Sequence, residues 1–142
     1  MKLNHSKKPR KVLVVDDDAI IRDMMIDILD FEGYAVCTAR HGFEALEILR
    51  GDEDYLVFLD LMMPVLNGQE VCTVLKDEPE LRERHVIVLM SAMDTLAEFP
   101  SIIDDVDTTM PKPFSVDDVL GAMEPYIGSG TPRLDDGGLQ VG

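Results

Sequence analysis

The sequence predicts an α/β fold in which a doubly wound, five-stranded parallel sheet is covered by helices on both faces. Three observations predict it. Five short runs of consecutive apolar residues, rich in Val, Ile and Leu, recur along the chain, as strands buried on both faces require. Segments with apolar residues at helical spacing separate these runs. The alternation of the two kinds of segment is typical of consecutive βα units that build a parallel sheet.

The elements can be placed in order along the chain. Strands are predicted over residues 11–15, 34–39, 54–60, 85–90 and 106–110. The first helix is predicted to begin after an N-cap at Asp18 and to stop before Gly33. Its apolar residues at helical spacing are Ile21, Met24, Met25, Ile28 and Leu29. Further helices are predicted over 42–50, 68–76 and 115–127. The segment 93–105 predicts an irregular helix, because Pro100 would end or kink it.

The length and composition of the chain are typical of a single domain with a hydrophobic core. The chain has 142 residues, of which 46% are hydrophobic. No apolar run approaches the roughly 20 residues that a membrane span needs, and the polar N-terminus lacks the apolar segment of a signal peptide. We therefore expect a cytoplasmic protein, in which Cys37 and Cys72 are small apolar residues with free thiols.

The charges are segregated along the chain. The first 11 residues contain five Lys and Arg and no acid, and the remaining eight basic residues accompany all 28 Asp and Glu. An acidic body repels phosphates, so direct DNA binding is not expected. We expect a basic disordered arm over residues 1–10, a folded domain over 11–127 and a flexible, Gly-rich tail over 128–142.

Polar side chains stand where the predicted strands end. Asp16 and Asp17 follow the first strand, Asp60 ends the third, Ser91 follows the fourth and Lys112 follows the fifth. Because parallel strands end at one edge of the sheet, these groups should meet there. Clustered carboxylates stay ionised if a hard cation lies among them, and oxygen ligands suit Mg²⁺. A nearby lysine and hydroxyl suit the transfer of a phosphoryl group.

These motifs resemble the receiver domain of bacterial two-component response regulators. They are the acidic pair Asp16-Asp17, Asp60 followed by Pro64 and Gly68, Ser91-Ala92, and Lys112-Pro113-Phe114. The resemblance spans about residues 11–127 and implies a flavodoxin-like sheet with strand order 2-1-3-4-5. It also implies a cis peptide bond between Lys112 and Pro113.

The resemblance implies a role for each of these residues. Asp60 would be the phosphoacceptor, Ser91 would donate its hydroxyl to a phosphoryl oxygen, and Lys112 would pair with the phosphate. Asp17, Asp60 and the backbone carbonyl of Met62 would bind Mg²⁺, with Asp16 close to the ion or bound through water. The phosphodonor would be a sensor histidine kinase or a phosphotransfer protein.

Two departures from the family pattern predict unusual behaviour. Receivers commonly carry Tyr or Phe three residues before the lysine; this switch position is Thr109, so no aromatic side chain can swing inward there. The positions two residues after Asp60 and two after Ser91 are Met62 and Met93, which cannot hold an attacking water through a polar group. Slow self-dephosphorylation is therefore expected.

Three functions are compatible with the sequence. The favoured one is a stand-alone phosphoacceptor receiver that signals by protein–protein interaction, as a monomer or a phosphorylation-linked dimer, and catalyses only its own phosphorylation and dephosphorylation. The second is a docking module that keeps the fold without being phosphorylated. The third is a Mg²⁺-dependent phosphohydrolase, for which Asp18, two residues after Asp16, would be the second acid. No downstream partner is indicated.

Overall fold

A parallel sheet of five strands forms the centre of the molecule. The computed structural model describes residues 11–127, so the predicted basic arm and C-terminal tail lie outside the described residues. The strands are β1 (Lys11–Val15), β2 (Ala35–Ala39), β3 (Tyr55–Asp60), β4 (Val86–Ser91) and β5 (Thr108–Pro111). Their order is β2-β1-β3-β4-β5, and every pair is parallel. The predicted α/β class and strand order are confirmed.

Helices cover both faces of the sheet. They are α1 (Ala19–Phe31), α2 (Gly42–Leu49), α3 (Gly68–Lys76), α4 (Pro79–Glu83), α5 (Met93–Leu96), a 3₁₀-helix (Pro100–Asp105) and α6 (Val116–Ile127). Buried residues of α1 and α6 pack in one hydrophobic core, and those of α2, α3 and the 3₁₀-helix pack in the other. β1, β3 and β4 contribute buried side chains to both cores, which explains why their sequences are continuously apolar.

The N-termini of α1 and α3, the helices that follow β1 and β3 of the site, are capped by side chains. Asp18 accepts a hydrogen bond from the backbone N–H of Ile20 at 2.9 Å, which confirms the predicted cap of α1. A reciprocal capping box joins Asn67 and Glu70 at the start of α3. These caps pair backbone N–H groups in the first turn that have no partner within the helix, and they fix where α1 and α3 begin, close to the ends of β1 and β3.

The segment between β4 and β5 departs from a regular helix, as Pro100 predicts. α5 has a single turn, and the 3₁₀-helix begins at Pro100. Within residues 92–107 the only fully buried side chain is that of Ile102. β5 begins at residue 108, two residues later than predicted. The carboxylate of Asp107 accepts the backbone N–H of Ile87 at 2.7 Å, a donor that a longer β5 would pair with a backbone carbonyl.

Gly68 allows α3 to start against the end of β3. A Cβ atom at this position would lie 2.7 Å from the backbone oxygen of Asp60 and 2.9 Å from the Cα atom of Leu61. These neighbours are backbone atoms, and they cannot move aside by a rotamer change. The absence of a side chain therefore sets the distance between α3 and the residue that ends β3.

His85 has a structural role that the sequence did not indicate. Its ring is fully buried. Nδ1 accepts the backbone N–H of Tyr55 at 3.1 Å, and Nε2 lies 3.0 Å from the carbonyl oxygen of Leu49. With Nδ1 accepting, the neutral ring donates from Nε2. Burial lowers the pKa of His85 and favours this neutral form.

Candidate functional site

The ends of β1, β3, β4 and β5 surround one cavity at an edge of the sheet. The cavity has a volume of about 300 Å³ and opens to solvent. It is lined by Asp16, Asp17, Asp18, Asp60, Met62, Ser91, Ala92, Thr95 and Lys112. The structure thus brings together the acids, the hydroxyl and the lysine that the sequence places at separate strand ends. The switch position, Thr109, is exposed on β5 and does not line this cavity.

Three carboxylates converge in the cavity. One oxygen from each of Asp16, Asp17 and Asp60 lies within 4.8 Å of the others. Asp16 is 0% exposed and Asp60 is 4% exposed, whereas Asp17 is exposed to solvent. Hydrophobic strands carry these charges into the protein interior, where like charges repel strongly. The cluster therefore requires positive charge nearby.

Lys112 supplies positive charge between the two buried acids. Its Nζ atom donates to Asp16 Oδ2 at 2.9 Å and to Asp60 Oδ1 at 3.2 Å. The backbone N–H of Lys112 also donates to the carbonyl of Ser91 at 3.1 Å, which ties the β5 end to the β4 end. The peptide bond between Lys112 and Pro113 is cis, as the sequence resemblance implies.

The protonation of Asp60 reflects this environment. Burial, and then the negative charge of Asp16, raise the pKa of Asp60 to about 7, although Lys112 acts in the opposite direction. For Lys112, burial lowers the pKa, but the hydrogen bonds and charges of Asp16 and Asp60 outweigh it and raise the pKa overall. The lysine is therefore charged, and Asp60 can gain or lose a proton near neutral pH.

Ser91 and Met62 flank the carboxylates. Ser91 is buried at the end of β4, and its hydroxyl donates to the carbonyl oxygen of Ala92 at 2.9 Å. A hydroxyl rotates freely enough to exchange this partner for a ligand oxygen. Met62 follows β3 by two residues, and its side chain is 54% exposed at the cavity.

The sequence did not single out two further contacts of the site. Arg22, on the first turns of α1, donates from its guanidinium to the backbone carbonyl of Asp16 at 2.7 Å. Thr95, on α5, lines the cavity. The helical position of Arg22 could have indicated its contact, because it lies one turn after Asp18, the N-cap of the helix that follows β1. The irregular segment 93–105 has no helical periodicity from which the direction of the Thr95 side chain could be predicted.

The donor set suits a hard divalent cation. Carboxylate oxygens from three residues lie close enough to share one ion, and the cavity leaves room for water ligands. Mg²⁺ prefers oxygen ligands and keeps several waters, so the residues present fit this ion.

Comparisons with known proteins identify the family and the fold of the chain. The model of the response regulator receiver domain family matches residues 12–124. The response regulator MprA of Mycolicibacterium vanbaalenii is 37% identical over 130 residues, which cover 91% of this chain and 54% of that protein. This chain therefore spans about half the length of the curated relatives it matches.

Solved receiver structures have the same fold. The receiver domain of NtrX from Brucella abortus is 30% identical, with a TM-score of 0.71 over 82% of this chain and 98% of that one. The response regulator TrrA from Thermotoga maritima, solved in complex with Mg²⁺ and BeF, gives the same identity, TM-score and coverage. Among the helices of residues 11–127, none has the length and apolar character needed to span a bilayer.

Proposed function

The chain belongs to the response regulator receiver domain family, and from this premise we propose that it receives a phosphoryl group on Asp60 in two-component signalling. The observation that carries the proposal is the pairing of a buried carboxylate with a charged amine in an acidic cavity. Lys112 Nζ lies 3.2 Å from Asp60 Oδ1, and two further acids adjoin them. A purely structural ion pair has no need for the additional carboxylates.

Asp60 is the nucleophile in this proposal. A carboxylate oxygen attacks the phosphorus of the donor, the bond from phosphorus to the donor's nitrogen or oxygen breaks, and the donor leaves with that electron pair. Asp60 must be ionised to attack. Lys112 favours the ionised form, because it lowers the pKa that burial and Asp16 raise.

The remaining residues stabilise the transferred group. Lys112 pairs with one phosphoryl oxygen, and the Ser91 hydroxyl turns from the Ala92 carbonyl to donate to another. Asp17, Asp60 and the Met62 carbonyl would hold Mg²⁺, with Asp16 close to the ion or bound through water. When bound, Mg²⁺ supplies the positive charge that offsets the carboxylates and the added phosphoryl group.

The proposed partner is a protein that carries a phosphohistidine, either a sensor histidine kinase or a phosphotransfer protein. Family membership supports this class of donor. Further domains, downstream targets, oligomeric state and cytoplasmic location stay predictions, since the chain spans only about half of its curated relatives. The absence of direct DNA binding is likewise a prediction, based on the acidic composition.

A docking module without phosphorylation is the second candidate. It is favoured by Thr109, whose exposed side chain provides no aromatic switch, and by the irregular helix α5. The phosphohydrolase alternative has less support. Asp18, its proposed second acid, accepts the backbone N–H of Ile20 through Oδ1 and so serves as the N-cap of α1.

Incubation with Mg²⁺ and acetyl phosphate tests the proposal. Intact-mass measurement should detect one added phosphoryl group, which should be absent from Asp60→Asn. Asp104→Asn, which removes an exposed carboxylate from the 3₁₀-helix, is the matched control and should be labelled normally. A folded protein that gains no label at saturating Mg²⁺ would refute phosphorylation and support the docking module. Continuous release of phosphate from a generic phosphoester would instead support the phosphohydrolase.

A further inference from the structure

One polar side chain of the cavity has no role in the proposed phosphorylation. Thr95 lines the cavity and is half-buried. Its backbone carbonyl accepts a hydrogen bond from Glu98, but within residues 11–127 its hydroxyl has no protein partner. A hydroxyl that faces a solvent-filled cavity can donate one hydrogen bond and accept others. It is therefore free to hold a water molecule.

The short helix α5 explains why Thr95 faces the cavity. α5 spans only residues 93–96 and is followed by a turn that leads to Pro100. Leu96 and Phe99 are partly buried and pack against the hydrophobic core on the α3 side of the sheet. Thr95, the residue before Leu96, lines the cavity instead of this core.

Hydrolysis of a phosphoryl group on Asp60 needs a water molecule at a defined place. The water oxygen must attack phosphorus roughly opposite the bond to the Asp60 oxygen, which breaks and regenerates the carboxylate. The proton of the attacking water passes to the released phosphate. Asp60 is only 4% exposed, so the attacking water must come from the open side of the cavity.

Few side chains on that open side can orient a water. Met62 and Ala92 line it but carry no hydroxyl, amide or charged group. Ser91 and Lys112 are engaged with phosphoryl oxygens in the proposed function. Asp18 accepts the N–H of Ile20 as the cap of α1, and Asp16 and Asp17 are assigned to Mg²⁺ in the proposed function. Thr95 is the cavity-lining side chain that has an unused donor and acceptor.

We propose that Thr95 positions the water that hydrolyses the aspartyl phosphate, an inference that rests on the proposed function of Asp60. It refines the expectation of slow self-dephosphorylation. Met62 and Met93, which are 54% and 79% exposed, offer no strong hydrogen bond to a water, so the residual hydrolysis depends on a single hydroxyl.

The lifetime of the phosphoryl group tests this role. Protein labelled with acetyl phosphate and Mg²⁺ is freed of donor by rapid desalting, and the label is followed by intact mass. Thr95→Val keeps the shape but removes the hydroxyl, and it should lengthen the half-life about two- to tenfold, as loss of one hydrogen bond implies. Thr95→Ser restores the hydroxyl and should return the half-life close to that of the parent.

Further measurements separate positioning from structural damage. Thr73→Val removes a hydroxyl from the exposed face of α3, where it donates to the carbonyl of Gln69, and should leave the half-life unchanged. The initial rate of labelling and the thermal shift on Mg²⁺ addition should be the same in all four proteins. Equal half-lives for the parent and Thr95→Val, or failure of Thr95→Ser to restore the rate, would overturn the inference. Absence of label from the parent would instead refute the phosphoacceptor function and, with it, the role of Thr95.

Discussion

Replacing Asp60 with Asn should change how the stability of the metal-free protein depends on pH. In the folded protein, burial and then the charge of Asp16 raise the pKa of Asp60 from 3.8 to about 7. The folded state therefore retains a proton that the unfolded chain releases between these two values. This contribution to stability is fully present below the unfolded pKa and is lost as the pH rises through the folded pKa.

The size of the effect follows from the two pKa values. Each pH unit between them costs about 1.4 kcal/mol of the free energy of unfolding. Between about pH 5.5 and about pH 8, the parent should lose about 2 kcal/mol through Asp60, after allowance for partial ionisation near its pKa. Asn at this position does not titrate. The difference in stability, variant minus parent, should therefore grow by that amount over the same interval.

Urea denaturation followed by far-ultraviolet circular dichroism, with EDTA present, measures this difference at each pH. Asp30→Asn removes an exposed carboxylate from α1 and controls for the loss of one negative charge. Excess Mg²⁺ should reduce the pH trend, because a cation favours ionised Asp60. A stability difference between Asp60→Asn and the parent that stays constant, or shrinks as the pH rises, would refute the electrostatic account of the site.

Three substitutions and one control substitution test the contacts that support the site. Gly68→Ala forces a Cβ to 2.7 Å from the backbone oxygen of Asp60, and it should lower the free energy of unfolding by about 1–3 kcal/mol in urea denaturation. Gly121→Ala is the control: its Cβ on α6 has open space around it, and the substitution should stabilise the protein by about 0.5–1 kcal/mol. His85→Ala leaves two buried backbone groups unpaired and should cost about 3 kcal/mol. Since the pKa of His85 is lowered in the folded protein, the stability difference between the parent and His85→Ala should shrink as the pH falls below the ordinary pKa of histidine. Asn67→Ala removes the α3 cap and should cost about 1 kcal/mol by thermal denaturation. A stabilised Gly68→Ala, a neutral His85→Ala or an unchanged melting temperature for Asn67→Ala would contradict the corresponding contact.

The sheet and its polar edge could be predicted because the relevant signals are local. A continuous apolar run such as residues 55–59 indicates a buried strand without knowledge of its neighbours. A carboxylate that directly follows such a run lies at the strand end in any parallel sheet. The strand order came from the family resemblance, since hydrophobic patterns alone do not say which strands are adjacent.

Features that depend on contacts distant in sequence could not be predicted. His85 bonds to Tyr55 and Leu49, which lie 30 and 36 residues away, and nothing around the histidine indicates them. α4 was not predicted, because its five residues include no buried side chain and leave no periodic pattern. The position of Thr95 at the cavity depends on how the segment with Leu96 and Phe99 packs on the core. An irregular segment has no sequence pattern that predicts this packing.

Sparse burial between β4 and β5 has a consequence for local opening of the fold. Ile102 is the sole fully buried side chain in residues 92–107, so separating this segment from the core exposes little apolar surface. The opening free energy is then a fraction of that for the whole domain, and amide hydrogens there exchange with solvent through local fluctuations. A ligand that contacts Thr95 only while this segment is packed on the core shifts the opening equilibrium toward the packed state. Protection of these amides from deuterium therefore reports occupancy of the cavity from residues that never touch the phosphoryl group.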